Sequence, residues 1–272
     1  LVGGATGMVG DPSGKSAERN LLSEELLSHN VQCLETQLKK FLDFDCGANS
    51  AVMVNNYDWF KNFNFLDFIR DVGKHITVNY MMAKDSVRKR LEGETGMSFT
   101  EFSYQLVQGY DFYYLWKEQN CQIQMGGSDQ WGNIINGVEL VRRLSDKPAY
   151  GLTTPLITTA NGAKMGKTAQ GAVWLNADLL SAYDYWQFWR NTDDRDVGKY
   201  LRLFTELPLE EIFKLEALQG AEINEAKKVL ADEATSLAHG GESLEAIHNT
   251  ALQLFEGQGG KGESLVTFLL TP

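Results

Sequence analysis

Cys121–Asn133 reads CQIQMGGSDQWGN, and this stretch decides the fold class. Cys121, Ile123 and Met125 alternate with Gln122 and Gln124, the two-residue period of a strand. The strand runs straight into Gly126-Gly127, then Ser128, Asp129 and Gln130, then a helix with Ile134, Ile135, Val138 and Val141 inward. Strand, glycine pair, polar residues and helix, in that order, is how an α/β fold presents a ligand site. The glycines let a ligand approach the backbone, and an acidic residue after them suits ribose hydroxyls. A plain surface loop is the competing reading.

Immediately upstream, Ser98–Asp111 reads SFTEFSYQLVQGYD. Ser98 followed three residues later by Glu101 is a capping box, so a helix starts here. Phe102, Leu106, Tyr110 and Tyr113 fall close to one stripe, the expected core face. Tyr104, Gln108 and Asp111 share another face. A phenol, an amide and a carboxylate aligned among aromatics look like hydrogen-bonding groups aimed at a small polar ligand. An ordinary solvated helix side has the same pattern.

Further upstream, Leu1–Lys15 (LVGGATGMVGDPSGK) suggests a strand running into a glycine-rich phosphate loop. No glycine triple fits G-x-G-x-x-G, and Gly10 lies one residue too close to Gly14-Lys15-Ser16 for a P-loop. Both motif-defined enzyme classes are thereby disfavoured. Lys15 and Arg19 could hold phosphate and Asp11 an ammonium group; a turn capped by Asp11 and Pro12 is the plainer reading. Ser23–Phe44 is predicted helical, with Leu27, Val31, Leu34, Leu38 and Phe41 as its apolar stripe. Ala51–Val54 reads as a short buried strand ending at Asn55-Asn56, and Phe65–Val72 as a helix closed by Gly73. Arg88, Lys89 and Arg90 read as a charged helix surface, and His75 as structural.

Downstream, Leu152–Thr159 is a further strand, followed by the Asn161-Gly162 turn and Lys164-Met165-Gly166-Lys167-Thr168. Two lysines three apart on small residues form a mobile cationic arm, able to neutralise polyphosphate charge. Beyond Ala177 helical patterns dominate: Tyr183–Trp189, Arg195–Phe204, Leu209–Leu218, Glu225–Ala238 and Glu242–Phe255. The predicted organisation is α/β over residues 1–158, a loop and linker over 159–176, and an all-helical domain over 177–272.

Composition sets the outer limits. In 272 residues, 43% hydrophobic and 22% charged are globular values, and no apolar run is long enough to span a membrane. Cys33, Cys46 and Cys121 have no zinc or disulfide spacing and read as buried or incidental thiols of a reducing compartment. A net charge of −11 argues against generic phosphate-backbone binding, so a nucleic-acid partner needs a local basic patch.

LVGGATGMVGDPSGK, NNYDW, FTEFSYQLVQGYD, GGSDQWGN and KMGKT, in this order, resemble the bacterial and organellar tyrosyl-tRNA synthetases. These are class I enzymes, which implies a Rossmann-like parallel-sheet nucleotide-binding domain, a KMSKS-type loop and an all-helical domain. KMGKT stands where that loop signature belongs, with Gly166 for its first serine and Thr168 for its last. The family's HIGH signature, and a tyrosine that helps read the substrate phenol, are expected ahead of Leu1. An S4-like RNA-binding domain is expected after Pro272, so the sequence reads as a core fragment.

By that resemblance Asp111 accepts a hydrogen bond from the substrate phenol, and Tyr104 and Gln108 hold its α-amino group. Asp11 pairs with the ammonium, with Asn56 nearby; Gln124 is also on the tyrosine side and Gln130 touches the attacking carboxylate. Gly127 and Asp129 hold the adenosine ribose. Lys164 and Lys167, helped by Lys15 and Arg19, bind the departing pyrophosphate. ATP is a substrate that carries its own Mg²⁺, with no metal site on the protein. The partners implied are L-tyrosine, ATP, tRNA(Tyr) and a second copy of the chain, with no membrane. The compartment implied is the cytoplasm, or a mitochondrial matrix or plastid for an organellar form. A tryptophan enzyme is the nearest alternative, opposed by Asp111 beside Tyr104, since indole offers one donor and no phenolic oxygen. A non-catalytic tyrosine- or RNA-binding relative is the other, opposed by Lys164, Lys167, Asp129 and Gln130.

Overall fold

The computed structural model describes residues 1–12, 22–93, 96–168 and 171–255, which fall into two compact units. The first comprises the described residues of Leu1–Thr36 and Gly47–Leu156; the second comprises Gln37–Cys46 and those from Ile157 onward. In the first lie helices α1 (Thr6–Val9), most of α2 (Glu24–Leu38), α3 (Tyr57–Phe60), α4 (Phe65–Asp71), α5 (Val78–Met82), α6 (Asp85–Leu91) and α7 (Phe99–Gln119). Strand β1 (Ile123–Gly127), helix α8 (Trp131–Ser145) and strand β2 (Tyr150–Thr154) complete it.

β1, α8 and β2 form a parallel crossover unit, with register running from Ile123↔Tyr150 to Gly127↔Thr154. Glycine lets α8 lie low on this sheet. A Cβ at Gly151 would stand 2.7 Å from Ile134 Cγ2, and one at Gly126 3.3 Å from Ile134 Cδ1. A second parallel contact joins Val2 to Asn55, with Val2 N donating to Val54 O at 2.8 Å and Asn56 N to Val2 O at 3.1 Å. Both parallel pairs thus end in polar residues at their carboxyl edges, which is where this architecture places ligands.

Helix α7 starts as its capping box requires: Ser98 Oγ accepts from Glu101 N at 3.2 Å, and Glu101 Oε2 accepts from Ser98 N at 3.4 Å. It ends at Asn120 in a left-handed cap, φ 52°. Phe102, Leu106, Tyr110 and Tyr113 pack on Val72, Ile76, Met81 and Leu140, the predicted core face. The deepest burial, however, belongs to Tyr104, Gln105, Gly109, Asp111 and Phe112 on the other side. Two glycines permit it. A Cβ at Gly109 would meet Asn136 Cβ at 3.2 Å, and one at Gly137 would meet Phe112 Cβ at 2.7 Å, so α7 and α8 approach closely.

Several predicted features change. The helix expected over Ser23–Phe44 stops at Leu38; of its stripe only Leu27 is buried, and Leu34 and Phe41 are exposed. Ala51–Val54 forms no strand: the single parallel bridge lies at Asn55, with Val54 O accepting from Val2 N, and Val52 is 75% exposed. The strand expected to run into a loop over Leu1–Lys15 is a single bridge at Val2, and a helical turn forms at Thr6–Val9. The strand expected over Leu152–Thr159 spans Tyr150–Thr154. Along β1 the alternation holds, but Ile123 and Met125 are exposed and Gln124 is half-buried. Cys33 and Cys46 are exposed, which leaves the incidental of their two readings. Arg90 is not surface charge: it is 7% exposed and grips Glu101 through two hydrogen bonds of 2.8 and 2.9 Å, with Nε on Gly96 O at 3.1 Å. A planar guanidinium matching a carboxylate in this way is what makes a buried charge tolerable. It fastens α6 to the start of α7.

In the second unit strands β3 (Lys167–Thr168) and β4 (Gly171–Ala172) form an antiparallel pair. Helices α9 (Ala182–Arg190), α10 (Asp194–Phe204), α11 (Leu209–Glu216), α12 (Ile223–His239) and α13 (Ser243–Phe255) follow, within two residues of the predicted spans. Ser181 and Asp193 cap α9 and α10 with side-chain oxygens, the local reason those helices begin there. The core sets Tyr185, Trp186 and Trp189 of α9 against the alanines of α12, small residues that make room for indole rings. Lys40 Nζ donates to Ala238 O at 3.1 Å, near the end of α12.

Candidate active site

A cavity of about 520 Å³ opens in the first unit, and Asp11, Tyr104, Gln108, Asp111, Gln124 and Gln130 all line it. Gly3, Thr6, Leu115, Ile123 and Met125 add to its wall. Two hydrogen-bond networks hold Asp11, Gln108, Asp111 and Gln130.

The first network is built on Asp111. Its carboxylate is 1% exposed; Oδ1 accepts from Trp59 Nε1 at 2.9 Å and Oδ2 from Asn56 Nδ2 at 3.0 Å. Trp59 is steadied by stacking on Tyr114, ring centroids 4.4 Å apart. Asn56 is fully buried: its Oδ1 accepts from Ala5 N at 2.7 Å, and its Nδ2 also reaches Thr6 Oγ1 at 3.0 Å. Burial pushes the Asp111 carboxyl up to about 7, against the lowering pull of the hydrogen bonds from Asn56 and Trp59. Near neutral pH, Asp111 can therefore be either an acid or an acceptor.

The second network runs through Gln130. Gln130 Nε2 donates to Asp11 Oδ2 at 2.8 Å, while its Oε1 accepts from Gln108 Nε2 at 3.3 Å and from Asn133 Nδ2 at 3.2 Å. Asn133 Nδ2 also approaches Asp11 Oδ1 at 3.5 Å. The amides also leave acceptors unsatisfied. Gln108 Oε1 and Gln124 Oε1 are buried with no hydrogen-bond partner among the described residues. Buried acceptors without donors destabilise a protein, and a ligand bearing N–H or O–H groups removes the cost. Beside the Asp11 carboxylate, Gln108 Oε1 suits an ammonium; beside Asp111, the remaining oxygen lone pairs suit a hydroxyl.

The remaining predicted residues lie elsewhere. Asn56 sits behind Asp111 and does not line the cavity, so it belongs with Asp111 rather than with Asp11. Gly127 and Asp129 lie on the turn after β1; Asp129 is exposed, and a Cβ at Gly127 would stand 2.7 Å from its Oδ1. Lys164 is in the second unit, exposed, and bridged to Thr158. Lys167 pairs with Ala172 through its backbone, so the segment is a small hairpin rather than an open arm. Gly166 adopts φ +82°, a left-handed conformation that disfavours a serine there. Lys15 and Arg19 lie outside the described residues. Sequence reading assigned no role to Trp59 or Asn133. Trp59 had a signal, since it follows Asn56 by three residues and so shares its helical face. Among the described residues no group of three or more His, Cys, Asp or Glu could hold a metal ion. A cleft of about 550 Å³ in the second unit, lined by Arg190, Lys227, Lys228 and His248, contains none of the predicted residues.

Comparison with known proteins fits this chemistry. The family model described as tRNA synthetases class I (W and Y) matches residues 1–256. Tyrosine–tRNA ligase of Caulobacter vibrioides is 56% identical over 268 residues, covering 98% of this chain and 64% of the relative. The ligase of Cytophaga hutchinsonii is 59% identical over 257 residues, 94% of this chain and 60% of the relative. The chain thus spans slightly less than two thirds of the length of the relatives it matches. Among solved structures, a C-terminally truncated mitochondrial tyrosyl-tRNA synthetase of Aspergillus nidulans is similar with a TM-score of 0.78 and 35% identity, covering 93% of this chain and 75% of that one. A parallel-sheet nucleotide-binding unit followed by helices is the class I synthetase fold, and the chain belongs to the class I tRNA synthetases of the tryptophan and tyrosine group.

Proposed function

We propose that this chain is the core of a tyrosine–tRNA ligase, which joins L-tyrosine to ATP as tyrosyl adenylate and then esterifies tRNA(Tyr). The observation that carries the choice of tyrosine is Asp111, buried in the cavity with each carboxylate oxygen held by one donor and lone pairs left for another. A substrate phenol supplies that donor; phenylalanine does not, and leaves the buried carboxylate short of a partner. Relatives identical to this chain at more than half of the aligned positions carry the name tyrosine–tRNA ligase.

The chemistry needs no nucleophile from the protein. The tyrosine carboxylate attacks the α-phosphorus of ATP in line, so the protein contributes position and charge. Asp11 and Gln108 with Tyr104 hold the α-ammonium, and Gln130 orients the carboxylate. Gly127 and Asp129 take the ribose, and Lys164 and Lys167, with Lys15 and Arg19, draw charge onto the departing pyrophosphate. Mg²⁺ arrives on the nucleotide phosphates. The working form is a cytoplasmic homodimer, supported by exposed Phe65, Leu66, Ile69, Val78 and Met82 on α4 and α5.

Tyrosine-dependent ATP–pyrophosphate exchange by the full-length protein, with tryptophan and phenylalanine as controls, tests this reading. Exchange with tyrosine alone is expected. Exchange with tryptophan instead would overturn the substrate, and no exchange with any of the three would point to a binding protein on the same fold. Lys167→Ala is expected to slow adenylate formation about 100-fold while changing tyrosine affinity less than about twofold, the mark of a transition-state contact. Equal losses in rapid-quench and binding measurements would mean that the loop acts before the transition state.

A further inference from the structure

Between α7 and α8 the fold buries a polar pair that neither cavity network includes. Gln105 is 5% exposed and Asn136 is 0% exposed. Asn136 Nδ2 donates to Gln105 Oε1 at 3.1 Å and to the Gln105 main-chain oxygen at 3.3 Å, while Gln105 Nε2 donates to Phe102 O at 3.1 Å. Asn136 Oδ1 is buried with no partner among the described residues. An orphaned acceptor weakens the fold, and two apolar side chains of similar shape would remove it.

What apolar side chains would not supply is direction. The contacts around the pair are Gly109 against Asn136 and Leu140, and Gly137 against Phe112. A glycine groove sets how closely two helices approach, but its smooth floor resists sliding weakly. Hydrogen bonds from one amide to a side-chain oxygen and a main-chain oxygen fix one register. That register matters to the cavity. Gln108 lies three residues beyond Gln105 on α7, and Asn133 lies three residues before Asn136 on α8. Gln108 and Gln130 meet at 3.3 Å, so a slide of about 1 Å takes them out of hydrogen-bond range.

We infer that Gln105 and Asn136 are positioning residues whose buried hydrogen bonds lock α7 in register on α8 and so hold Gln108 against Gln130. The consequence for rate rests on the proposed tyrosine activation; the consequence for geometry does not. The test is the nearly isosteric double variant Gln105→Met with Asn136→Leu in the full-length protein. Its Tm is expected to equal or exceed that of the parent, while its crystal structure shows the Gln108–Gln130 hydrogen bond broken. In tyrosine-dependent exchange kcat is expected to fall at least about tenfold with KM for tyrosine moving less than about threefold, because Gln130 acts on the attacking carboxylate. Gln105→Met alone, which keeps the bond to the main-chain oxygen, is expected to lose about threefold in kcat and guards against a double variant that fails to fold. A stable double variant with the Gln108–Gln130 bond intact and parental kcat overturns the inference. So does a Gln105→Met variant with parental kcat. A broken Gln108–Gln130 bond in a protein whose parent shows no exchange supports the register lock and overturns only the proposed activity.

Discussion

Helices α7 and α12 are both long and both packed along one side, yet they bury opposite chemistries. α12 hides Ala226, Leu230, Ala231, Ala234 and Ala238, with Thr235 as its one buried polar residue. α7 hides Glu101, Tyr104, Gln105 and Asp111 along with Gly109 and Phe112. Along α12 nearly every buried atom adds apolar contact. Along α7 the buried groups are desolvated polar atoms, and one of them, Asp111, has its carboxyl moved up to about 7 by burial. A fold keeps such groups where a ligand completes them, so the difference separates a helix that stabilises from a helix that recognises.

Leu230→Ala probes the stabilising helix and carries the largest expected effect. Leu230 is fully buried, so the truncation is expected to lower unfolding free energy by about 3 kcal/mol in urea titrations. Tyrosine affinity should change less than about twofold, since every residue lining the proposed tyrosine site lies in the first unit. A folded Leu230→Ala protein that binds tyrosine roughly tenfold more weakly would collapse the distinction between the two helices.

Asp111→Asn probes the recognising helix, and its signature is a pH dependence. The unfolded carboxyl titrates near 3.8 and the folded one near 7, so between those values the folded state holds a proton that the unfolded chain has released. This group's contribution to stability therefore falls as pH rises through that window. Asp111→Asn removes the slope, so the stability of the variant relative to the parent climbs from pH 4 to about 7 and then levels off. Phenol recognition runs the other way, because only the ionised carboxylate lacks a proton of its own to place. Parental tyrosine affinity should rise as pH passes upward through about 7, while that of Asp111→Asn stays flat and about 10- to 100-fold weaker at pH 8. Calorimetric titrations across pH 6–8.5 with the same slope in both proteins would remove Asp111 from the site.

Much of this contrast is legible in sequence, and the limit is chain separation. The Ser98–Glu101 cap, the two faces of α7 and the five helices of the second unit follow from contacts three or four residues apart. The family motifs name most of the residues that meet in the cavity. They do not show that Asn56 and Trp59 act through Asp111, across 55 and 52 residues, or that Gln130 joins Asp11 across 119. Nor does periodicity foresee a polar lock at Gln105 and Asn136, since an amide on a helix face reads as solvated until the partner helix is in place. Arg90 reads as surface charge for the same reason: its neighbours Arg88 and Lys89 are exposed, and only the fold brings Glu101 over it. Ala51–Val54 differs in the opposite sense, reading as a core strand where the described structure has one bridge, at Asn55.

The finest test of the recognising side changes one donor and nothing else. Trp59→Phe keeps a ring to stack on Tyr114 but removes the N–H that reaches Asp111 Oδ1 at 2.9 Å. That hydrogen bond favours the ionised carboxylate, so its loss leaves burial less opposed and moves the Asp111 titration upward. Tyrosine affinity is expected to fall about fivefold at pH 7, the worth of roughly 1 kcal/mol. Most of that loss should disappear at pH 8.5, where the carboxylate is ionised again. Recovery with pH distinguishes a donor that tunes Asp111 from a side chain that merely fills space, because a packing defect would weaken binding equally at both pH values. An equal loss at pH 7 and 8.5 would assign Trp59 to the scaffold, leaving Asn56 as the residue that sets the charge of Asp111.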